Sequence, residues 1–227
     1  ILWNRNQWPM GLTKMIRTSI MAFVVALFCA WTTESSYAAS DEASHTVRPA
    51  VVAGRFYPNG TEDLRKTVRT LLRDAPGIDV KKTIRGLVSP HAGYIYSGIV
   101  AAAGYRQISP SIRTVILIGP SHGVPLKGPS IDLVTAYQTP LGDVSLSQIA
   151  FELCKLPVFE SAPEAHKMEH SLEVQLPFLQ VMLKDFEIVP ILVNSGDPRA
   201  LASVLAPYID NNALVVVSTD LSHYSSY

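Results

Sequence analysis

The stretch TVILIGPSHG, residues 114–123, decides the fold class of this chain. Its first five residues are aliphatic or β-branched, and they lead directly into a Gly/Pro turn that carries His122. Nearly continuous apolar runs of this kind are typical of strands that are covered on both faces, as in parallel sheets. Similar runs occur at residues 84–88, 188–193 and 214–217, with a weaker fifth candidate at 131–134. The sequence therefore predicts an α/β fold with a largely parallel sheet and helices on both faces.

The predicted helices lie between these runs. One begins after Thr61, a predicted N-cap, and ends before Pro76-Gly77. The spacing of apolar residues predicts further helices over residues 97–105, 146–156, 171–186 and 198–208. We expect the 171–186 helix to bend or restart at Pro177, because proline cannot donate the backbone hydrogen bond.

Composition excludes several classes of protein. The chain has 227 residues, of which 48% are hydrophobic, and its 19 Lys and Arg balance 19 Asp and Glu. The lack of a basic excess argues against a dedicated nucleic-acid-binding protein. High apolar content argues against a disordered chain. With two cysteines in all, the chain is not a disulfide-rich miniprotein.

The first 38 residues have the pattern of a secretory leader. Lys14 and Arg17 precede a twelve-residue apolar run, residues 20–31, and Ser36-Tyr37-Ala38 has small residues where a signal peptidase reads. An uncleaved anchor is the alternative, but the run is too short to span a bilayer as a helix. We therefore expect an exported protein, periplasmic or extracellular. Residues 1–38 would comprise a few upstream residues and the signal peptide. Residues 47–227 would form an α/β domain that is truncated at its C-terminus.

Three predicted strands each run into a polar turn that carries a histidine. His91 follows the first strand, His122 the second, and Asp220 and His223 the last. Ligands of open α/β sheets bind at the carboxyl ends of the strands. If these strands are parallel neighbours, residues more than a hundred positions apart converge on one crevice. The alternative for each histidine alone is a loop residue bonded to backbone.

The residue types in this crevice are suited to metal chemistry. Neutral imidazole is a common ligand of zinc, iron and copper, so His91 and His122 are the candidate metal ligands. Asp220 is either a ligand or an acceptor for an imidazole N–H, and His223 either a ligand or a general acid/base. For His170 we favour a structural cap or a surface pair with Glu173, with a place at the pocket rim as the alternative.

Six stretches, in order along the chain, resemble the Memo family, also called AmmeMemoRadiSam system protein B. They are RPAVVAGRFYP (48–58), SPHAGYIYSG (89–98), ILIGPSHG (116–123), TPLGDV (139–144), EHSLEVQLPFLQ (169–180) and STDLSHY (218–224). The resemblance implies a fold similar to that of the ferrous extradiol aromatic dioxygenases. It also implies metal ligation by His91, His122 and a cysteine nearer the C-terminus, which has no counterpart here; Cys154 is not at the matching position. Asp220 and His223 match the aspartate and histidine of the same pocket.

The resemblance implies a redox role with iron or copper. It also implies AMMECR1-like and radical-SAM family proteins as partners. We expect an oxygen-dependent redox protein in which Asp220 and His223 assist catalysis. One alternative is a non-catalytic module that binds a peptide or small ligand in the same pocket. The other is a metal-dependent hydrolase.

Overall fold

A four-stranded parallel sheet forms the centre of the fold. In the computed structural model, which describes residues 46–221, this sheet comprises β2 (Gly86–Ser89), β3 (Thr114–Pro120), β6 (Glu187–Val193) and β7 (Ala213–Ser218). The strand order is β2-β7-β3-β6, and every neighbouring pair is parallel. The four predicted strands are confirmed, as is the α/β class. The predicted leader lies outside the described residues.

A second, smaller sheet was not predicted. It joins β1 (Val47–Arg48), β4 (Ala136–Thr139) and β5 (Gly142–Ser145) in the order β1-β4-β5. Strands β4 and β5 form a hairpin whose turn needs Gly142, because its φ of 117° lies in the left-handed region that favours glycine.

The fifth strand candidate, residues 131–134, is wrong. Ile131 and Val134 are buried and Leu133 is exposed, so burial does not alternate as it would along a half-buried strand. The segment is irregular, and the strand lies two residues further on, at β4.

The first helix, α1 (Thr61–Asp74), buries Leu64 and Val68 on one face and carries Glu62 and Asp63 in its first turn. These acids complement the positive end of the helix dipole. Its N-cap is Gly60, so the predicted cap at Thr61 is wrong. The Thr61 hydroxyl donates instead to the carbonyl of Pro140, 2.8 Å away, and ties the helix to the β4–β5 turn.

The remaining helices are mostly shorter than predicted. They are α2 (Tyr94–Tyr105), α3 (Gln148–Leu153), α4 (Pro163–Lys167), α5 (Leu176–Met182) and α6 (Pro198–Leu205). The predicted helix over 171–186 is a 3₁₀ turn, Glu173–Gln175, followed by α5. Pro177 lies in the first turn of α5, where its missing N–H costs nothing, so it starts a helix rather than bending one. The α4 helix was not predicted.

Helices lie on both faces of the parallel sheet, as predicted. On one face Leu87 contacts Gly104 of α2, and Gly119 approaches the segment before α5. On the other face Ile118, Val193 and Val215 line an apolar cavity of about 510 Å³ together with Leu201 and Leu205 of α6. Among residues 46–221, no helix is both long and apolar enough to cross a lipid bilayer.

Candidate functional site

Three imidazole rings meet at the carboxyl edge of the parallel sheet. His91 follows β2, His122 follows β3, and His170 precedes the 3₁₀ turn that leads into α5. The His122 and His170 rings are stacked, with centroids 4.6 Å apart and an interplanar angle of 18°. The His91 ring lies edge-on to both, at 5.2 Å from His122 and 5.6 Å from His170. Strand β7 lies between β2 and β3, so the His91 and His122 rings approach each other across the end of β7.

His91 is held by the end of the neighbouring strand β7. Its side chain is almost fully buried, and its backbone N–H donates to Asp220 Oδ1 at 2.7 Å. Its ring Nδ1 lies 3.0 Å from Ser218 Oγ, and its Nε2 lies 3.8 Å from Asp220 Oδ2. Burial lowers the pKa of His91 to about 4 despite the nearby charge of Asp220, so the ring is neutral at pH 7.

His122 is held by the buried carboxylate of Glu169. That carboxylate accepts hydrogen bonds from the His122 backbone N–H at 2.6 Å and from its ring Nδ1 at 2.9 Å. It also accepts from the backbone N–H groups of His170 and Ser171, each at 2.8 Å. Because an ionised carboxylate can only accept, Nδ1 of His122 carries a hydrogen, and in the neutral ring the lone pair is therefore on Nε2.

The same hydrogen bonds keep Glu169 ionised. Burial alone would raise the pKa of this carboxyl, but the N–H groups of His122 and Ser171 and the His122 ring together hold it below its usual value. Glu169 therefore connects the turn after β3 to the segment of His170 and fixes a charge beside the three rings.

The structure corrects the predicted surface role of His170. Glu173 is fully buried and bound elsewhere, so no surface pair forms with it. His170 belongs to the histidine cluster, and burial lowers the pKa of its ring against the opposing charge of Glu169. The strand-end argument missed His170 because this residue follows no strand. The adjacent acid and histidine in EHS, residues 169–171, were the available signal.

A buried ion pair between Arg48 and Glu173 holds the segment that contains Glu169 and His170 in place. Arg48 Nη1 lies 2.9 Å from Glu173 Oε2, and both side chains are almost fully buried. The remaining donors of Arg48 bind the backbone carbonyls of His166 and Glu169. Glu173 also accepts from the Tyr57 hydroxyl at 2.6 Å, and burial followed by the charge of Glu173 raises the pKa of that tyrosine. The pair thus fixes the chain on either side of Glu169.

His166 is a structural residue of this buried region, not a member of the cluster. It is 1% exposed, with Nδ1 3.2 Å from the Tyr137 hydroxyl and Nε2 3.4 Å from Ser130 Oγ. Burial, reinforced by the charge of Arg48, lowers its pKa to about 4.

Gly119 lets the His170 segment approach the sheet. A Cβ atom at this position would lie 2.7 Å from Ser171 Oγ and 2.9 Å from Leu172 Cδ2. Both distances are shorter than ordinary van der Waals contacts, so a side chain at residue 119 would push His170 away from His122.

The three histidines fit a metal ion in number and chemistry. One ligand nitrogen from each of His91, His122 and His170 lies within 4.8 Å of the others. Three nitrogens at 2.0–2.1 Å from a tetrahedral metal are about 3.4 Å apart, so binding would shorten the longest separation by about 1.4 Å at most. Asp220 lies beside His91, as described, whereas His223 lies outside the described residues. Cys154 follows α3, is half-buried and donates to the carbonyl of Phe151.

Comparison with known proteins identifies the family. The sequence profile of the family described as Memo-like protein matches residues 48–227. A MEMO1 family protein of Thermotoga neapolitana is 39% identical over 199 residues, covering 78% of this chain and 71% of that protein. MEMO1 family proteins of Methanopyrus kandleri and Aquifex aeolicus are each 38% identical, over 79% and 78% of this chain and 70% and 68% of their own lengths. The predicted resemblance is confirmed: this chain belongs to the Memo family.

Proposed function

We propose that this protein binds a redox-active metal ion, iron or copper, through His91, His122 and His170. The convergence of these three imidazoles from three distant segments carries the proposal. His91 and His122 are the ligands that the sequence predicts. His170, whose ring lies against both of them, supplies the third nitrogen.

The protonation states of the rings favour a cation. Burial lowers the pKa values of His91 and His170, so both rings offer a lone pair at neutral pH without losing a proton first. The ionised Glu169 adds a negative charge next to the cluster. Three nitrogen donors leave coordination positions open, an arrangement typical of reactive rather than structural metal sites.

The surrounding acids and histidines define what the chain itself would do in a reaction. The metal would supply electron transfer to dioxygen beside an aromatic or phenolic substrate. Asp220 would keep His91 oriented through its backbone N–H, and its Oδ2 faces the His91 ring. His223, three residues further along, would move a proton to or from the substrate oxygen.

Elemental analysis of the purified full chain tests the proposal. We expect about one iron or copper per chain, and loss of the metal in His91→Ala, His122→Ala and His170→Ala. His166→Ala is the matched control, because it removes a buried histidine from the same region but outside the cluster. Circular dichroism would establish that each variant is folded.

The result that contradicts the proposal is metal retained by all three cluster variants, or absent from folded wild-type protein supplied with iron and copper. Occupancy by zinc, with neither redox metal bound under the same supply, would contradict the redox role and favour the hydrolase alternative. Full binding of a ligand by metal-free protein would favour the non-catalytic module.

We also propose that the protein is exported, on the strength of the leader pattern in residues 1–38. N-terminal sequencing of protein recovered from outside the cytoplasm should begin at Ala39. Full-length protein confined to the cytoplasm would contradict export.

A further inference from the structure

Ser218, the last residue of β7, is the buried neighbour of the His91 ring. It is 1% exposed, and its hydroxyl oxygen has three polar partners. The hydroxyl donates to the backbone carbonyl of Ser171 at 2.5 Å. The side-chain amide of Gln175 donates to the same oxygen at 2.8 Å, and His91 Nδ1 lies 3.0 Å from it.

The number of hydrogens in this cluster determines which atoms donate. A serine hydroxyl has one hydrogen and two acceptor positions. The Ser171 carbonyl can only accept, so a separation of 2.5 Å requires the Ser218 hydrogen to lie between the two oxygens. The hydroxyl therefore has no hydrogen left for His91, and the contact with His91 requires an N–H at Nδ1.

The orientation of Gln175 is also determined. Its amide nitrogen lies 3.0 Å from the carbonyl of Pro90, which can only accept, so the amide cannot be flipped. Its oxygen accepts from the Tyr105 hydroxyl at 2.7 Å. Both amide hydrogens are thus used, one on Pro90 and one on Ser218, and this leaves one acceptor position of Ser218 for His91.

The other neutral form of His91 fits the site less well. It would place the hydrogen on Nε2, whose distance of 3.8 Å to Asp220 Oδ2 is too long for a hydrogen bond. It would also place an unprotonated Nδ1 against a hydroxyl whose hydrogen is already donated.

We propose that Ser218 is a positioning residue that holds His91 in the Nδ1–H tautomer and leaves the Nε2 lone pair directed at the histidine cluster. The value of this tautomer rests on the proposed metal site, since a ligand nitrogen must be free of hydrogen. Glu169 imposes the same tautomer on His122. The Ser218 hydroxyl and the Glu169 carboxylate thus each accept from Nδ1–H of one ring and leave its Nε2 free for a metal. The N–H partners of metal-bound histidines act in the same way.

Long-range ¹H–¹⁵N correlation spectra of the histidine rings test the tautomer directly. The sample is the metal-free full chain, labelled with ¹⁵N and held at neutral pH. We expect the His91 signals of a protonated Nδ1 and an unprotonated Nε2. The reverse pattern, a hydrogen on Nε2, would overturn the proposal without any variant.

Three variants separate positioning from a general structural effect. Ser218→Ala removes the acceptor, so we expect His91 to lose the pure Nδ1–H pattern and metal affinity to fall by about 10- to 100-fold. Ser218→Thr keeps a hydroxyl and should restore the pattern. Gln175→Met removes three buried hydrogen bonds but leaves the Ser218 hydrogen on Ser171, so the tautomer should persist. An unchanged His91 pattern in folded Ser218→Ala would overturn the proposal.

The test distinguishes this proposal from the proposed function. Wild-type protein with the Nδ1–H tautomer but no affinity for iron or copper would contradict the metal site and leave the role of Ser218 intact. The opposite result is also possible to observe: the His91 ring carries its hydrogen on Nε2 in the metal-free protein, yet the metal binds with full affinity. That result would contradict the role of Ser218 and leave the metal site intact.

Discussion

The carboxylate of Glu169 binds both the backbone N–H and the ring Nδ1 of His122, at 2.6 and 2.9 Å. These two contacts fix the position and the rotation of the ring together. The same carboxylate accepts from the backbone of His170, so one buried acid sets the separation of two cluster histidines. Glu169 and His122 are 47 residues apart in the sequence.

Glu169→Gln should lower the affinity for metal more than it lowers the free energy of unfolding. The amide offers a single acceptor oxygen where four N–H groups converge, so some lose their partner at a cost of about 1–3 kcal/mol. We expect metal affinity to fall by about 10- to 100-fold, measured by competition with a chelator of known affinity. The control is Glu164→Gln, an exposed acid in the neighbouring helix α4. Equal affinities in the two variants would contradict the role of Glu169.

Breaking the ion pair between Arg48 and Glu173 should destabilise the fold. Arg48→Met leaves the Glu173 carboxylate buried without its cation, and the expected loss of unfolding free energy is about 3–5 kcal/mol. Urea unfolding of the metal-free chain measures it.

The double variant Arg48→Met with Glu173→Gln should lose less stability than the sum of the two single variants, because neither charge is left unpaired. Additive losses would contradict direct coupling between these residues.

Stability should fall as the pH is lowered from about 6.5 to 4. In the folded protein the pKa of His166 is about 4, below the ordinary value of 6.5, so in this window the unfolded chain binds more protons. The stabilising effect is present above pH 6.5 and is lost as the pH falls toward 4. For His166 the loss is about 3 kcal/mol, since one pKa unit corresponds to about 1.4 kcal/mol. Urea unfolding at a series of pH values should give a shallower slope for His166→Gln, and an identical slope would argue against this origin.

Gly119→Ala should disturb the site through a steric clash. The added methyl group would lie 2.7 Å from Ser171 Oγ, which is itself bonded to the Pro120 carbonyl and cannot move freely. We expect a loss of about 1–3 kcal/mol in unfolding free energy, together with weaker metal binding. Gly86→Ala is the control in the same sheet, since a Cβ there meets no atom within 4 Å. Similar behaviour of the two variants would contradict the clash.

The sequence predicts the four-stranded parallel sheet well because the signal for each of its strands is local. The run at residues 115–118 is apolar throughout, since both faces of β3 are covered, and the turn that follows the strand places His122 at the carboxyl edge. His91 and His122 then lie at the same edge of the sheet because β2 and β3 each pair in parallel with β7.

The rest of the site depends on contacts that no local pattern records. Arg48 and Glu173 are 125 residues apart, and Ser218 and His91 are 127 apart. The His170 segment reaches the cluster from a loop rather than a strand, through the close approach at Gly119. The predicted strand over 131–134 fails for a related reason, because Ile131 and Val134 are buried by tertiary packing without strand pairing.

Pulsed electron paramagnetic resonance of the full chain loaded with one equivalent of Cu(II) tests the shared metal site most directly. We predict nitrogen couplings from three imidazoles in the wild type and in His166→Ala, and loss of this pattern in His91→Ala, His122→Ala and His170→Ala, which release the metal. Couplings that are absent in the wild type, or the same in all four variants, would contradict a metal centre built by these three rings.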